Sequence, residues 1–497
     1  MMVTLAAVDI GAQSGRVAVG EFDGERLAVH EVHRFDNGPI DDGGRLRWDI
    51  RRIFDDVIEG LGRAGQARGQ VDSVGVDSWA VDFGLLDRSG ALIENPTHYR
   101  DPRRAGAVEA VLDQIPAPTL YDRTGIQLMP INTVFELAAM AAEGDPALAR
   151  AETLLLVPDL LQHWLCGARV TEFTNATTTQ CIDATTGRWS PDILSRLDIP
   201  DRLFTEIVPS CTALGPVRAP VAERTGLAAA TVVAVATHDT GSAVAAIPLA
   251  GPRSAYISAG TWSLVGVELA APRIDAATYA ANLTNEGGIA GTFRLLRNVT
   301  GLWLLHECRS AWEEQGDTWD YDALVALADT APPLGSFVDP DDPRFTSPGD
   351  MPRRIRDFCT DTRQPSPTEP GAVVRCILES LALKHAQTLD LLSEATGTAI
   401  DEVHIVGGGS RNERLCRFTA DAAGIPVLAG PQEATVVGNL LGQTMALGEV
   451  SSLGEARDVV RRSFVPKIYE PSSSSQWREA VARFAELVTH GQLQRQA

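Results

Sequence analysis

A chain of 497 residues is too long for one hydrophobic core, and its 44% apolar content fits two soluble domains of about 250 residues each. The formal charge of −22 argues against nucleic acid and anionic membrane surfaces as partners, and no apolar run approaches the roughly 18–20 residues of a bilayer crossing. The first residues carry no basic stretch, so no signal peptide is expected and the chain reads as cytoplasmic.

Residues 3–22 predict a β-hairpin, with Gly11-Ala12-Gln13-Ser14-Gly15 turning between two apolar runs. Gly11 and Gly15 are expected to free this turn for positive φ and for close approach of a phosphate. Residues 71–86 read as a strand pair, 74–77 with 81–86, and Asp87-Arg88-Ser89-Gly90 as a turn. Helical spacing of Val134, Leu137, Ala138 and Ala141 predicts a helix over 133–143, stopped by Gly144. The polar run 174–180 reads most simply as an exposed loop, or else as the lining of a cleft. A β-branched strand over 231–236 ends at Thr237-His238-Asp239-Thr240, and the Pro- and Gly-bearing segment 247–253 marks a boundary. A second hairpin follows at 254–269, then loops over 331–371 and an amphipathic helix over 372–396 closed by Gly397. A buried strand, 403–406, runs into Gly407-Gly408-Gly409-Ser410 and a helix over 412–423. The division expected is 1–247 for an N-terminal domain, 254–465 for a C-terminal domain, and 466–497 for a C-terminal extension.

The two hairpins are variations on one phrase. Ile257-Ser258-Ala259-Gly260-Thr261-Trp262 repeats the pattern around Gly11 after 249 residues, as a duplicated domain would. Folds that open both halves in this way tend to hold a nucleotide's phosphates between the two turns. The strand, glycine turn and helix at 403–423 form another phosphate-binding arrangement, although Asn412 stands where a dinucleotide fingerprint needs its third glycine. Only Lys384 and Lys467 are lysines, and neither sits in a Walker A loop or on a protein-kinase strand. The seven cysteines show no metal-ligand spacing; Cys359 and Cys376 could pair in the fold, with reduced thiols the preferred reading for a cytoplasmic chain.

Three residues stand out for chemistry. Asp9 ends the first strand, where a carboxylate holds Mg²⁺ through water or caps its own turn. Asp239 lies where a strand gives out, the usual place for active groups in an open sheet, and reads either as a general base or as a hydrogen-bonded partner of His238. Trp79 reads as core packing or as a stacking face for a sugar ring.

Together these motifs resemble the FGGY carbohydrate kinases, in blocks at 8–20, 76–86, 98–101, 125–132, 174–180, 233–243, 255–264, 284–288, 301–305, 404–409 and 420–431. The resemblance implies an α/β fold of two actin-like, ribonuclease-H-like domains with an ATP and sugar cleft between them. It implies transfer of the γ-phosphate of ATP to O1 of L-rhamnulose with Mg²⁺ present, in a monomer or homodimer. On this resemblance Asp239 is the base, and Ala80, His238, Asp239, Thr240 and Asn298 contact the sugar. Ala12, Gln13, Ser14, Gly15, Arg16, Thr261, His306 and Gly408 contact the nucleotide. Three positions depart from the family pattern: Ala80 replaces a glycine, Gln13 a serine and His306 a glutamine. They leave open a different ketose or polyol, such as fuculose or xylulose, and a non-catalytic sugar-binding regulator is the rival of another class.

Overall fold

The computed structural model describes residues 2–472 and 474–496. The chain forms two compact units, each discontinuous in sequence. The first runs to Pro248 and takes in Glu268–Leu295 and Glu433–Val465; the second comprises Leu249–Val267, Leu296–Gln432 and the chain from Pro466 onward.

The first unit is built on β1 (Val3–Ile10), β2 (Ser14–Phe22), β3 (Leu27–Asp36), β4 (Ser73–Ser78), β5 (Thr212–Pro216) and β6 (Thr231–Ala234), in the order β5-β6-β4-β1-β2-β3. β1 pairs antiparallel with β2 and parallel with β4, and β4 pairs parallel with β6. This central position explains why β1 reads as an unbroken apolar run, with Leu5, Ala6, Ala7, Val8 and Ile10 all sealed from solvent. The second unit follows the same plan with β7 (Ser254–Ala259), β8 (Trp262–Leu269), β9 (Phe293–Thr300), β10 (Glu402–Val406), β11 (Val427–Ala429) and β12 (Lys467–Tyr469), in the order β9-β8-β7-β10-β11-β12. β8 and β9 run across the chain positions at which the units divide. In each unit a hairpin and its third strand are followed by two parallel strands and an antiparallel edge strand. The edge strand precedes its neighbour in the chain in the first unit and follows it in the second.

The helices over Thr133–Glu143, Pro370–Thr396 and Glu413–Ala423 match the predicted segments, the first two closed by Gly144 and Gly397 in the left-handed conformation. Four expectations need correction. Gly11, Gly15 and Gly260 are not among the positive-φ glycines; a Cβ on Gly15 would meet the Phe35 ring, so that glycine answers to packing. The two segments within 71–86 do not pair with each other, since β4 lies inside the sheet while Phe83–Leu86 pairs with Thr153–Leu156. Residues 174–180 are buried, with 174–178 inside a short helix, Phe173–Thr178. The supposed loops of 331–371 contain a helix at Met351–Asp361, N-capped by Asp350, that buries Met351, Ile355, Phe358 and Cys359 on one face. Cys359 and Cys376 are free thiols, as read. No helix among the described residues is long and apolar enough to cross a membrane.

Two packing features hold the first unit's working end. The helix Ala434–Ala446 lies over β1 and β4, where Gln443 bonds Ser73 and the carbonyl of Ala6. It approaches the helix Asp239–Ala245 so closely that a Cβ on Gly438 would sit 1.7 Å from the Ser242 carbonyl oxygen. The second feature is a buried polar knot on Asp82. Its Oδ2 accepts the indole N–H groups of Trp48 (2.6 Å) and Trp79 (3.0 Å) and the amide of Tyr99, while Oδ1 accepts from Arg104 at 2.7 Å. Burial lifts the Asp82 carboxyl to about 6, against the pull of Arg104 and the indoles.

Gly438→Ala drives the new methyl group into the Ser242 carbonyl, a backbone group that no rotamer change moves aside. A loss of about 1–3 kcal/mol is expected, read as a fall in Tm of roughly 2–4 °C per kcal/mol. Asp82 binds its proton more tightly in the native state than in the unfolded chain. Its burial therefore costs stability above about pH 6 and nothing below its unfolded pKa of about 4. Protonation also alters the acceptor of two indoles, so tryptophan emission should show a step centred near pH 6 that Asp82→Asn removes.

Candidate active site

The parallel strands β1, β4 and β6 each lead to a carboxylate. Asp9 is the penultimate residue of β1 and stands in register with Asp77 on β4. Beyond β6 the chain forms a parallel bridge from His238 to Ser78, then enters the helix Asp239–Ala245 with Asp239 as its first residue. The order β6-β4-β1 places Asp77 between the other two strand ends.

Each carboxylate is held differently. Asp9 Oδ2 takes two bonds from Arg16 across the hairpin, at 2.8 and 2.6 Å, and Arg16 also pairs with Glu433. Asp9 thus anchors a neighbouring cation rather than its own turn. Asp77 is fully buried; its Oδ2 accepts from Asn439 at 2.6 Å, and its Oδ1 has no hydrogen-bond partner among the described residues. Burial, followed by the charge of Asp9, pushes the Asp77 carboxyl well above the ordinary range. Asp239 Oδ1 accepts from the backbone N–H and hydroxyl of Thr240 at 2.5 and 3.0 Å. Its side chain is recessed and still 31% exposed. Desolvation raises its pKa, His238 opposes the rise, and Asp9 adds to it. A carboxylate lifted in this way is a better proton acceptor than a free one and stays within reach of a ligand.

His238 is buried beside Asp239, with Nε2 at 3.5 Å from Oδ1. Its Nδ1 lies 3.0 Å from Arg294 Nη2 and 3.3 Å from Glu286 Oε2, and Arg294 and Glu286 pair at 3.2 Å. Both belong to the Glu268–Leu295 segment of the same unit. Ala80 is half-buried and follows Trp79, whose indole is tied into the Asp82 knot; Trp79 is therefore core. In the first hairpin Ala12, Gln13 and Ser14 are half-buried and Gly15 is buried. The Gly11 N–H closes the turn on the Ser14 carbonyl, and Asn37 braces it by bonding the carbonyls of Gly11 and Gln13.

The second unit gathers its own candidates. The carbonyl of Thr261 accepts from the backbone N–H groups of Gly301 (3.0 Å) and Trp303 (3.2 Å), so the hairpin turn is clasped by the start of the helix Trp303–Glu314. His306 stands one turn into that helix; burial first, then Arg309, lowers its pKa and leaves a neutral imidazole with one donor and one acceptor. Gly407 (φ 78°) and Gly409 press on Ala259, where a Cβ on Gly409 would approach to 2.4 Å, whereas Gly408 is exposed with open space around its Cβ direction. Asn298 is half-buried on β9. Two residues further on, the amide of Thr300 bonds Asp341, which Lys384 and Arg297 also engage at 3.0 and 3.6 Å.

Sequence reasoning missed Asp77, Glu433, Asn439, Glu286 and Arg294. Asp77 had a legible signal: Val74-Gly75-Val76-Asp77 ends an apolar run in a carboxylate just as Val8-Asp9 does. The chemistry of the donors suits a hard divalent cation, since Asp9 Oδ1 and Asp77 Oδ1 are carboxylate oxygens without hydrogen-bond partners among the described residues. The group His33, Asp56 and Glu59 also brings ligand atoms within 4.8 Å of one another, but Arg52 and Arg63 engage its acids.

The chain matches the N-terminal domain of the FGGY family of carbohydrate kinases over residues 4–246 and the C-terminal domain over 255–447. It is 43% identical to a rhamnulokinase of Bacteroides thetaiotaomicron, over 97% of this chain and 99% of that one. Identity to a rhamnulokinase of Enterococcus faecalis is 39%, over 94% of each. Solved structures of a ligand-bound xylulose kinase and a gluconate kinase, both from Lactobacillus acidophilus, share the fold. Their TM-scores are 0.79 and 0.77 at 16% and 17% identity, and each alignment covers at least 98% of both chains. The chain belongs to the FGGY family of carbohydrate kinases.

Proposed function

We propose that this enzyme transfers the γ-phosphoryl group of ATP to O1 of L-rhamnulose, giving L-rhamnulose 1-phosphate and ADP. The observation that carries the chemistry is Asp239: a recessed carboxylate at a strand end, raised in pKa and oriented by Thr240 and His238. The choice of acceptor is supported by the full-length likeness to proteins named rhamnulokinase.

In this reading Asp239 takes the proton of the O1 hydroxyl as the O1–Pγ bond forms. The bond from Pγ to the β,γ-bridging oxygen breaks in line, and ADP leaves. His238, Thr240, Ala80 and Asn298 position the ketose. The Thr240 hydroxyl already donates to Asp239, so its part is to fix the base as well as to meet the sugar. Ala12, Gln13, Ser14, Gly15, Arg16, Thr261, His306 and Gly408 serve the nucleotide, with the exposed backbone of Gly408 open to close approach. Asp9, with Asp77 beside it, would hold Mg²⁺, which supplies charge neutralisation for the phosphates. Arg16 keeps the Asp9 carboxylate oriented.

Removing a positioned base costs about 10²–10⁴-fold in rate. Asp239→Asn should therefore lose sugar phosphorylation on that scale in a coupled ADP-release assay while retaining ATP binding by calorimetry; full turnover would refute the role. Assayed with ATP against L-rhamnulose, L-fuculose and D-xylulose, the enzyme should show its highest kcat/KM with L-rhamnulose. A preference for either rival would place Ala80 among the residues that redirect specificity.

A further inference from the structure

The polar run that sequence suggested was an exposed loop is a buried hub, and its organiser is Glu172. This residue ends the short strand Val170–Glu172, caps the helix Phe173–Thr178 and is fully sealed from solvent. Its carboxylate is the convergence point of six donors. Oε1 accepts from the Thr174 amide (3.0 Å) and the Ser210 hydroxyl (2.6 Å). Oε2 accepts from the Thr174 hydroxyl (2.5 Å) and the Asn175 amide (3.4 Å), and from both the amide and the hydroxyl of Thr237 (3.0 Å each). A buried charge is tolerable when it is satisfied in this way, and charge-assisted bonds are the stiffer kind.

Thr237 is two residues before Asp239. The next amide, that of His238, donates to the Thr174 hydroxyl at 3.2 Å, so the same oxygen that binds Glu172 also receives the chain at His238. One turn on, Gly241 packs on Thr174, where a Cβ would stand 3.4 Å from the threonine side chain. The hub also receives the segment bearing Glu286, since the Gly287 amide donates to the Thr177 hydroxyl at 2.9 Å. Two consecutive residues beyond β6, Thr237 and His238, are thus held by bonds from outside the sheet immediately before Asp239.

We infer that Glu172 is the positioning residue for the catalytic base: through Thr237 and Thr174 it fixes the backbone at 237–238 and so the placement of Asp239. The inference rests on the reading of Asp239 as the base. Only an acceptor with two charged oxygens satisfies all six donors. An amide at this position turns its NH2 group either on the Thr174 amide or on the Thr237 amide, neither of which can accept, so one arm of the hub is lost and the hold on 237–238 loosens. Removing the Thr237 hydroxyl withdraws one bond at nearly constant volume, and serine restores it.

The test compares Glu172→Gln, Thr237→Val, Thr237→Ser and Asp239→Asn in the full chain. Steady-state kinetics with ATP and L-rhamnulose are normalised to the number of nucleotide-binding sites found by calorimetry. Glu172→Gln and Thr237→Val should lower kcat per binding site tenfold or more with the KM for ATP unchanged, and Thr237→Ser should keep wild-type values. A merely structural role would lower the number of binding sites and leave kcat per site intact, and that result overturns the inference. So does a Thr237→Ser variant as impaired as Thr237→Val. If Glu172→Gln does not fold, the Thr237 pair decides. Full turnover by Asp239→Asn would instead refute the assignment of the base, whatever the Glu172 and Thr237 variants do.

Discussion

Carboxyl groups resist being gathered in a buried place, and the first unit gathers three. Asp9, Asp77 and Asp239 lie at the ends of adjacent parallel strands because each has its own counterweight: Arg16 for Asp9, Asn439 for Asp77, and His238 with Thr240 for Asp239. Two of these supports depend on chain from the far end of the sequence. Glu433 holds the second arm of Arg16, and Asn439 projects from the helix that Gly438 allows to pack against the Asp239 helix. The segment Glu433–Val465 thus belongs to this unit from far along the chain and brings to the carboxylates Glu433 and Asn439.

The duplicated hairpin has kept its topology and diverged in its contacts. In the first copy the turn is braced from the side by Asn37 and anchored below by the Asp9–Arg16 pair. In the second, the turn is clasped by the start of a helix, and the glycine turn at Gly407 packs directly beneath Ala259. Neither copy relies on left-handed glycines in its turn. Gly407 does, and there the conformation lets the chain leave β10 while pressed against a neighbouring backbone.

Much of the fold was legible because it rests on periodicity. The apolar runs of β1 and β7, the helix ending at Gly144 and the long helix ending at Gly397 announce themselves locally. The helix Met351–Asp361 was legible in principle, since Met351, Ile355, Phe358 and Cys359 have helical spacing, but the surrounding prolines and aspartates masked it. Asp9 and Asp239 could be picked out because each ends an apolar run. What supports them could not, because Glu433, Asn439, Arg294 and Glu172 reach the site from sequence distances that no window spans. The misreading of 174–180 has a related cause: threonines look solvent-facing until a buried carboxylate is found to bind Thr174, while Thr177, Thr178 and Thr179 donate to backbone carbonyls three residues earlier.

The scarcity of lysine has a practical side. Lys384 is 1% exposed and locked between Asp339 and Asp341, a gap suited to a compact ammonium rather than a planar guanidinium. Lys467, with 58% of its side chain open, rests on Glu413 at the edge strand of the second unit. Amine-directed coupling thus meets a single accessible lysine side chain, placed in the chain far from every group assigned to the sugar. A fluorophore or a surface tether directed to lysine side chains would attach at that one position, without a cysteine having to be engineered.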